Sequence, residues 1–105
     1  MPVQAVKINV GRTRDHVPGF GRAIDLLQLS IAIFCLPDGT FRALHNRCPK
    51  GGAIVNGEMS GRFITCLDHQ CCIDLFSGSL QSALNSKVET FPVEVEDGFI
   101  YVTLE

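Results

Sequence analysis

Two short segments concentrate the residues of this chain that can do chemistry. The first reads His45-Asn46-Arg47-Cys48-Pro49-Lys50-Gly51-Gly52 and the second Cys66-Leu67-Asp68-His69-Gln70-Cys71. Cysteine thiolates and a neutral imidazole are soft and borderline donors, the set that zinc and iron–sulfur chemistry uses. Each segment opens its donor run with a cysteine, so two such loops on adjacent hairpin tips can clamp a metal centre between them. Lys50 runs against this pattern. A lysine ammonium has three donors and no lone pair, and it ligates a metal only after giving up a proton that its ordinary pKa of about 10.4 retains. His45, Cys71 and Cys72 stand nearby as spare donors.

The elements that must position these loops are short strands broken by turn residues. Val6, Ile8 and Val10 alternate along a first strand that Gly11 is expected to end, and Thr13 to Val17 suit one helical turn before Pro18-Gly19-Phe20-Gly21 breaks it. Residues 22–27 and 28–36 suit two further strands, the second apolar almost throughout, as a strand buried on both faces would be. Pro37-Asp38-Gly39-Thr40 is a turn, and residues 41–46 return from it into the first cysteine loop, residues 47–57. Residues 62–66 lead as a strand into the second loop, and Ile73 to Phe76 lead out of it to a turn at Ser77-Gly78. Phe91, Val93 and Val95 alternate, Asp97-Gly98 is a two-residue hairpin turn, and residues 99–104 return. The expectation is one β-rich domain over residues 1–105.

Composition narrows the function class. At 105 residues the chain has room for one modest core, and 46% hydrophobic with 19% charged residues is ordinary for a globular protein. A formal charge of −2 offers no basic excess with which to displace counterions from nucleic acid, so no nucleic-acid partner is expected. No run approaches the roughly 20 apolar residues of a membrane span. The first seven residues, Met1 to Lys7, hold no apolar signal-like core, and five cysteines are an odd number. A disulfide framework is therefore not expected, and cytoplasmic, reduced thiols are. No glycine-rich nucleotide loop in a βαβ setting and no legible substrate pocket are present, so no catalytic site of its own is expected.

With the loops and their flanks together, the sequence resembles the Rieske iron–sulfur family over nearly its whole length. Asn46-Arg47-Cys48-Pro49, Ile73-Asp74-Leu75-Phe76-Ser77-Gly78 and Phe91-Pro92-Val93-Glu94-Val95-Glu96-Asp97-Gly98 carry the likeness. In that family C-x-H is followed, roughly fifteen to twenty residues on, by C-x-x-H, and the cysteines hold one iron of a [2Fe–2S] cluster and the histidines the other. The resemblance implies an all-β, antiparallel β-sandwich in which two hairpin loops form the cluster site. It places Cys48, Cys66 and His69 at three of the four ligand positions and Lys50 where the fourth, a histidine, belongs. Leu67 replaces a frequent proline and Cys71 a usual aromatic residue. The flanks are most similar to the small subunit of NAD(P)H-dependent assimilatory nitrite reductase, which works with a large catalytic subunit that reduces nitrite to ammonia. The ferredoxins of ring-hydroxylating dioxygenases are the nearest competitor.

Lys50 excludes a conventional two-cysteine, two-histidine cluster and leaves three readings of the site. A [2Fe–2S] cluster completed by His45, Cys71 or Cys72 would make the chain an electron relay. A cluster-free site, with the Lys50 ammonium paired to Asp68 or a thiolate, would make it a structural or regulatory subunit. Zinc on Cys48, Cys66, His69 and one spare donor is the third. A thiol sensor using Cys48 and Cys66 beside Lys50 is a further class, since a neighbouring cation lowers a thiol pKa. Outside the loops, Cys35 is expected to pack in the core and His16 to lie in solvent. Cys72 is expected to pack or carry no role, Arg47 and Arg62 to be partner-facing or ordinary surface, and Gly51 and Gly52 to supply positive φ angles.

Overall fold

The computed structural model of the chain describes residues 5–26, 29–48, 52–66, 71–81 and 86–104. Among the described residues ten strands build three antiparallel sheets: β1 (Val6–Arg12), β2 (Phe20–Leu26), β3 (Leu29–Cys35), β4 (Phe41–His45), β5 (Glu58–Ser60), β6 (Phe63–Thr65), β7 (Cys72–Asp74), β8 (Thr90–Phe91), β9 (Val93–Glu96) and β10 (Phe99–Leu104). The sheet orders are β1-β10-β9, β2-β3-β4-β8 and β5-β6-β7. The one described helical element is the 3-10 turn Thr13–Asp15, and no described helix is long and apolar enough to cross a membrane.

The β2-β3-β4-β8 sheet is the middle layer, which accounts for the unbroken apolar run of β3. Successive side chains of a strand point to opposite faces. Ile31, Ile33 and Ala43 pack on one face with Val10, Ile100 and Val102 of the β1-β10-β9 sheet. Ala32, Phe34 and Leu44 pack on the other with Ile54, Ile64, Ile73 and Leu75. The last five residues of β3, Ile31 to Cys35, are all buried.

Local chemistry sets most boundaries where turn residues fall. Asp97 and Gly98 both take positive φ, 52° and 80°, as a two-residue hairpin turn requires, and β9 and β10 pair from Glu96–Phe99 onward. Gly11 does not end β1. Its φ of 128° and the bond from its N–H to Asn9 Oδ1 absorb a register shift, and pairing with β10 continues to Arg12. Likewise β2 begins at Phe20, inside the segment expected to break it, because only Pro18-Gly19 is needed for the turn. Strand β5 is not legible from its sequence: Glu58, Met59 and Ser60 lack β-formers, and pairing to β6 imposes the conformation.

Candidate functional site

Strand β4 delivers the chain into the first cysteine loop, and Asn46 anchors it there. The Asn46 side-chain oxygen accepts the N–H groups of Ile54 (3.1 Å) and Val55 (3.0 Å), while its Nδ2 donates to Ser30 Oγ at 3.2 Å. The Cys48 N–H donates to the Gly52 carbonyl at 2.8 Å and closes the loop at its base, with Gly52 at φ 86°. The exit runs hard against β6: a Cβ on Gly57 would sit 2.5 Å from the Thr65 carbonyl oxygen, so only glycine lets the two loops lie side by side. Strand β6 then delivers Cys66, whose N–H donates to the Cys71 carbonyl at 2.8 Å to close the second loop. Both loops are thus pinned at their first cysteine by a backbone bond.

The two cysteines are 1% and 3% exposed and belong, with Cys71, to the apolar cluster between the middle sheet and β5-β6-β7. Two of the spare donors, His45 and Cys72, do not converge with them. His45 follows Ala43 by two residues on β4, so strand alternation turns it to the face packed on β1 and β10, away from the cysteines. Cys72 alternates with Ile73, which faces that cluster, and so points off its far side. Cys71 shares the buried cluster with Cys48 and Cys66, and among the described residues no three His, Cys, Asp or Glu side chains group closely enough to hold a metal. Lys50, Asp68 and His69 lie outside the described residues.

A family model for the Rieske [2Fe-2S] domain matches residues 6–92. The chain belongs to the Rieske family. Rieske architecture is also what the solved structures share with it. A Mycobacterium tuberculosis protein assigned as the small subunit of an NADH-dependent nitrite reductase superposes with a TM-score of 0.89 at 23% identity, covering 98% of both chains. The E. coli protein NirD gives 0.87 at 16% identity, covering 96% of this chain and 98% of its own. A chain from the complex of reduced oxygenase and oxidized ferredoxin in carbazole 1,9a-dioxygenase gives 0.82 at 26% identity, covering 90% and 99%. No curated protein matches the chain.

The residues of this Rieske domain do not fit the family's two-cysteine, two-histidine centre. Cys48 and Cys66 suit one iron, and the sequence pattern would put His69 at the second. The same pattern would put Lys50, which has no lone pair in its ordinary protonation state, at the remaining position. Two described donors that could replace it, His45 and Cys72, are turned away by the parity of their strands.

Elsewhere the structure revises single residues. Cys35 is buried, as its strand predicts. His16 is buried rather than solvent-exposed, with its ring edge-on to Phe41 at 5.5 Å between centroids. Arg62 lies on the surface, as expected, and is ion-paired there. It donates from Nε and Nη2 to the two oxygens of Asp74 at 3.1 and 2.8 Å. Burial opposes ionisation of Asp74, yet its bonds from Arg62 and from the Phe76 N–H hold its pKa below the usual value of 3.8. Asn46 was visible in the sequence only as a flank of Cys48; the signal for its role is a half-buried amide between two turns.

Proposed function

We propose that this Rieske domain is the small subunit of a cytoplasmic NAD(P)H-dependent nitrite reductase, acting without a conventional cluster as a structural or regulatory partner of the large subunit that reduces nitrite to ammonia. The observation that carries the reading is Lys50 where the sequence pattern expects the second ligand, with His45 and Cys72 on strand positions that alternate away from the cysteine cluster. An electron carrier without a redox centre has no function, whereas a subunit without one still makes an interface. The likeness to the M. tuberculosis small subunit, which extends over 98% of both chains, supports the same reading. A free-standing ferredoxin for a dioxygenase is the second reading, favoured by the 26% identity to the carbazole dioxygenase complex chain.

Co-purification and iron analysis separate the two. The tagged chain, expressed anaerobically in its host with ample iron and sulfide, is expected to be colourless and to bring down a large sirohaem-type subunit. Brown protein with about two irons per chain and no such subunit would favour the ferredoxin. A Lys50→His variant completes the test: with the loops otherwise intact it gains a Rieske-like visible spectrum. A colourless variant would mean that more than one residue disabled the site.

A further inference from the structure

Away from the cysteine loops, three side chains form a second constellation. The guanidinium carbon of Arg42 lies 3.9 Å over the centroid of the Phe76 ring, and that of Arg62 lies 4.5 Å from the same centroid. The two cations differ in how they are balanced. Arg62 is matched by Asp74 through two hydrogen bonds. Arg42 makes no ion pair among the described residues, and its Nε is buried without a hydrogen-bond acceptor among them. A cavity of about 390 Å³ opens beside Arg42, walled by Phe76, Leu75, Phe91, Glu89 and Thr90. Glu89 shares the cavity without pairing with Arg42.

Phe76 is 39% exposed and yet held in place. Its N–H donates to Asp74 Oδ1 at 2.8 Å, Gly78 N–H donates to the Asp74 carbonyl at 2.7 Å, and the Leu75 N–H donates to the Arg62 carbonyl at 2.8 Å. The ring is therefore presented on a fixed turn, and covering it costs little additional ordering. Strand direction puts this turn at the end of β6 and β7 opposite Cys66 and Cys71. Four residues separate Arg62 from Cys66, about 13 Å at ~3.3 Å per residue.

We propose that this end of the domain is a docking site for the large catalytic subunit, which seats an aspartate or glutamate side chain on the Arg42 guanidinium and covers the Phe76 ring. The inference rests on the small-subunit reading above. A guanidinium presents a planar fork that matches a carboxylate, and Arg42 has no acidic partner among the described residues to compete for it. Arginine beside an aromatic ring is the composition that dominates binding energy in protein interfaces. The exposed ring adds apolar surface that a protein partner covers and a lone carboxylate leaves wet.

The test measures the affinity of the intact chain for the large subunit of the same host at low and at high salt. Arg42→Gln is expected to weaken binding about tenfold or more, the scale of one lost charge-assisted hydrogen bond, with Arg42→Lys in between. Phe76→Ala is expected to weaken binding as well. Glu89→Gln removes a negative charge beside the incoming carboxylate and is expected to tighten binding several-fold, a gain that misfolding cannot mimic. If the wild-type chain binds but Arg42→Gln and Glu89→Gln stay within about twofold of it, below any charged contact, the docking site is wrong and the subunit reading stands. If the wild-type chain does not bind the large subunit at all, both fall. Millimolar glutarate that shifts the NMR signals of Arg42 and Phe76, when the large subunit leaves them unmoved, would reassign the cavity to small carboxylates and overturn the proposal.

Discussion

His16 sits beneath the turn Thr13–Asp15, its ring edge against Phe41 and its Nδ1 buried without a hydrogen-bond partner among the described residues. Burial, and then the charge of Arg22, lower its pKa from 6.5 against the opposing charge of Asp15. The unfolded chain then takes up a proton near pH 6.5 and the folded chain only below that. Protonation favours unfolding, so the stability present above pH 6.5 is lost as pH falls from there toward the lower folded pKa. His16→Leu is expected to flatten the acid side of the stability profile between about pH 7 and 5, read from urea midpoints. An unchanged slope would place the acid sensitivity elsewhere. The sequence showed His16 only as a polar residue before a proline turn, because its burial comes from Phe41, twenty-five positions away. Lys50 is the opposite case. Its consequence needs no coordinates, since the absence of a lone pair is a property of the residue type.

At the scale of elements, the cysteine loops are held by contacts that join distant pieces of chain. Asn46 replaces two absent strand partners by accepting from Ile54 and Val55, and it ties the loop to β3 through Ser30. Asn46→Ala leaves two backbone N–H groups without acceptors. It is expected to cost about 1–3 kcal/mol, and the amides of Ile54 and Val55 should exchange with solvent faster while those of β10 are unchanged. Uniform acceleration through both sheets would instead mean that the loop and the sandwich open together. The hairpin turn at Asp97-Gly98, the Pro37–Thr40 turn and the buried strand β3 were all legible in the sequence, because turn chemistry and apolar runs are local signals. Strand β5 and the passage of β1 through Gly11 were not. Both depend on a partner strand that supplies the pairing.

For the whole molecule, the middle sheet divides one hydrophobic content into two packed layers. Ile33 serves the layer with β1 and β10, and Phe34 serves the layer that contains Cys48, Cys66 and Cys71. Truncation of either to alanine is expected to cost about 2–5 kcal/mol, the range for large-to-small changes in a core. Their effects on the site should differ. Under native conditions Phe34→Ala should speed the reaction of Cys48 and Cys66 with an aromatic disulfide reagent, and Ile33→Ala should leave it near the wild-type rate. Equal acceleration in both would show that the layers act as a single unit. The Arg42–Phe76 constellation lies on the same side of the middle sheet as Cys48 and Cys66 but at the opposite end, so the proposed interface and the cysteine loops occupy different ends of one layer.

By itself the sequence determined the β class, the pairing turns and the place of the two cysteine loops. Each is a matter of residue type, spacing or period and needs no distant neighbour. Only the tertiary structure decided which donors share a face. The parity of β4 turns His45 away from the cysteines and brings Arg42 to their side of the sheet, at the far end, where Phe76 arrives from β7. A strand's period fixes which residues alternate, but the layer that each face meets is chosen when the sheets stack.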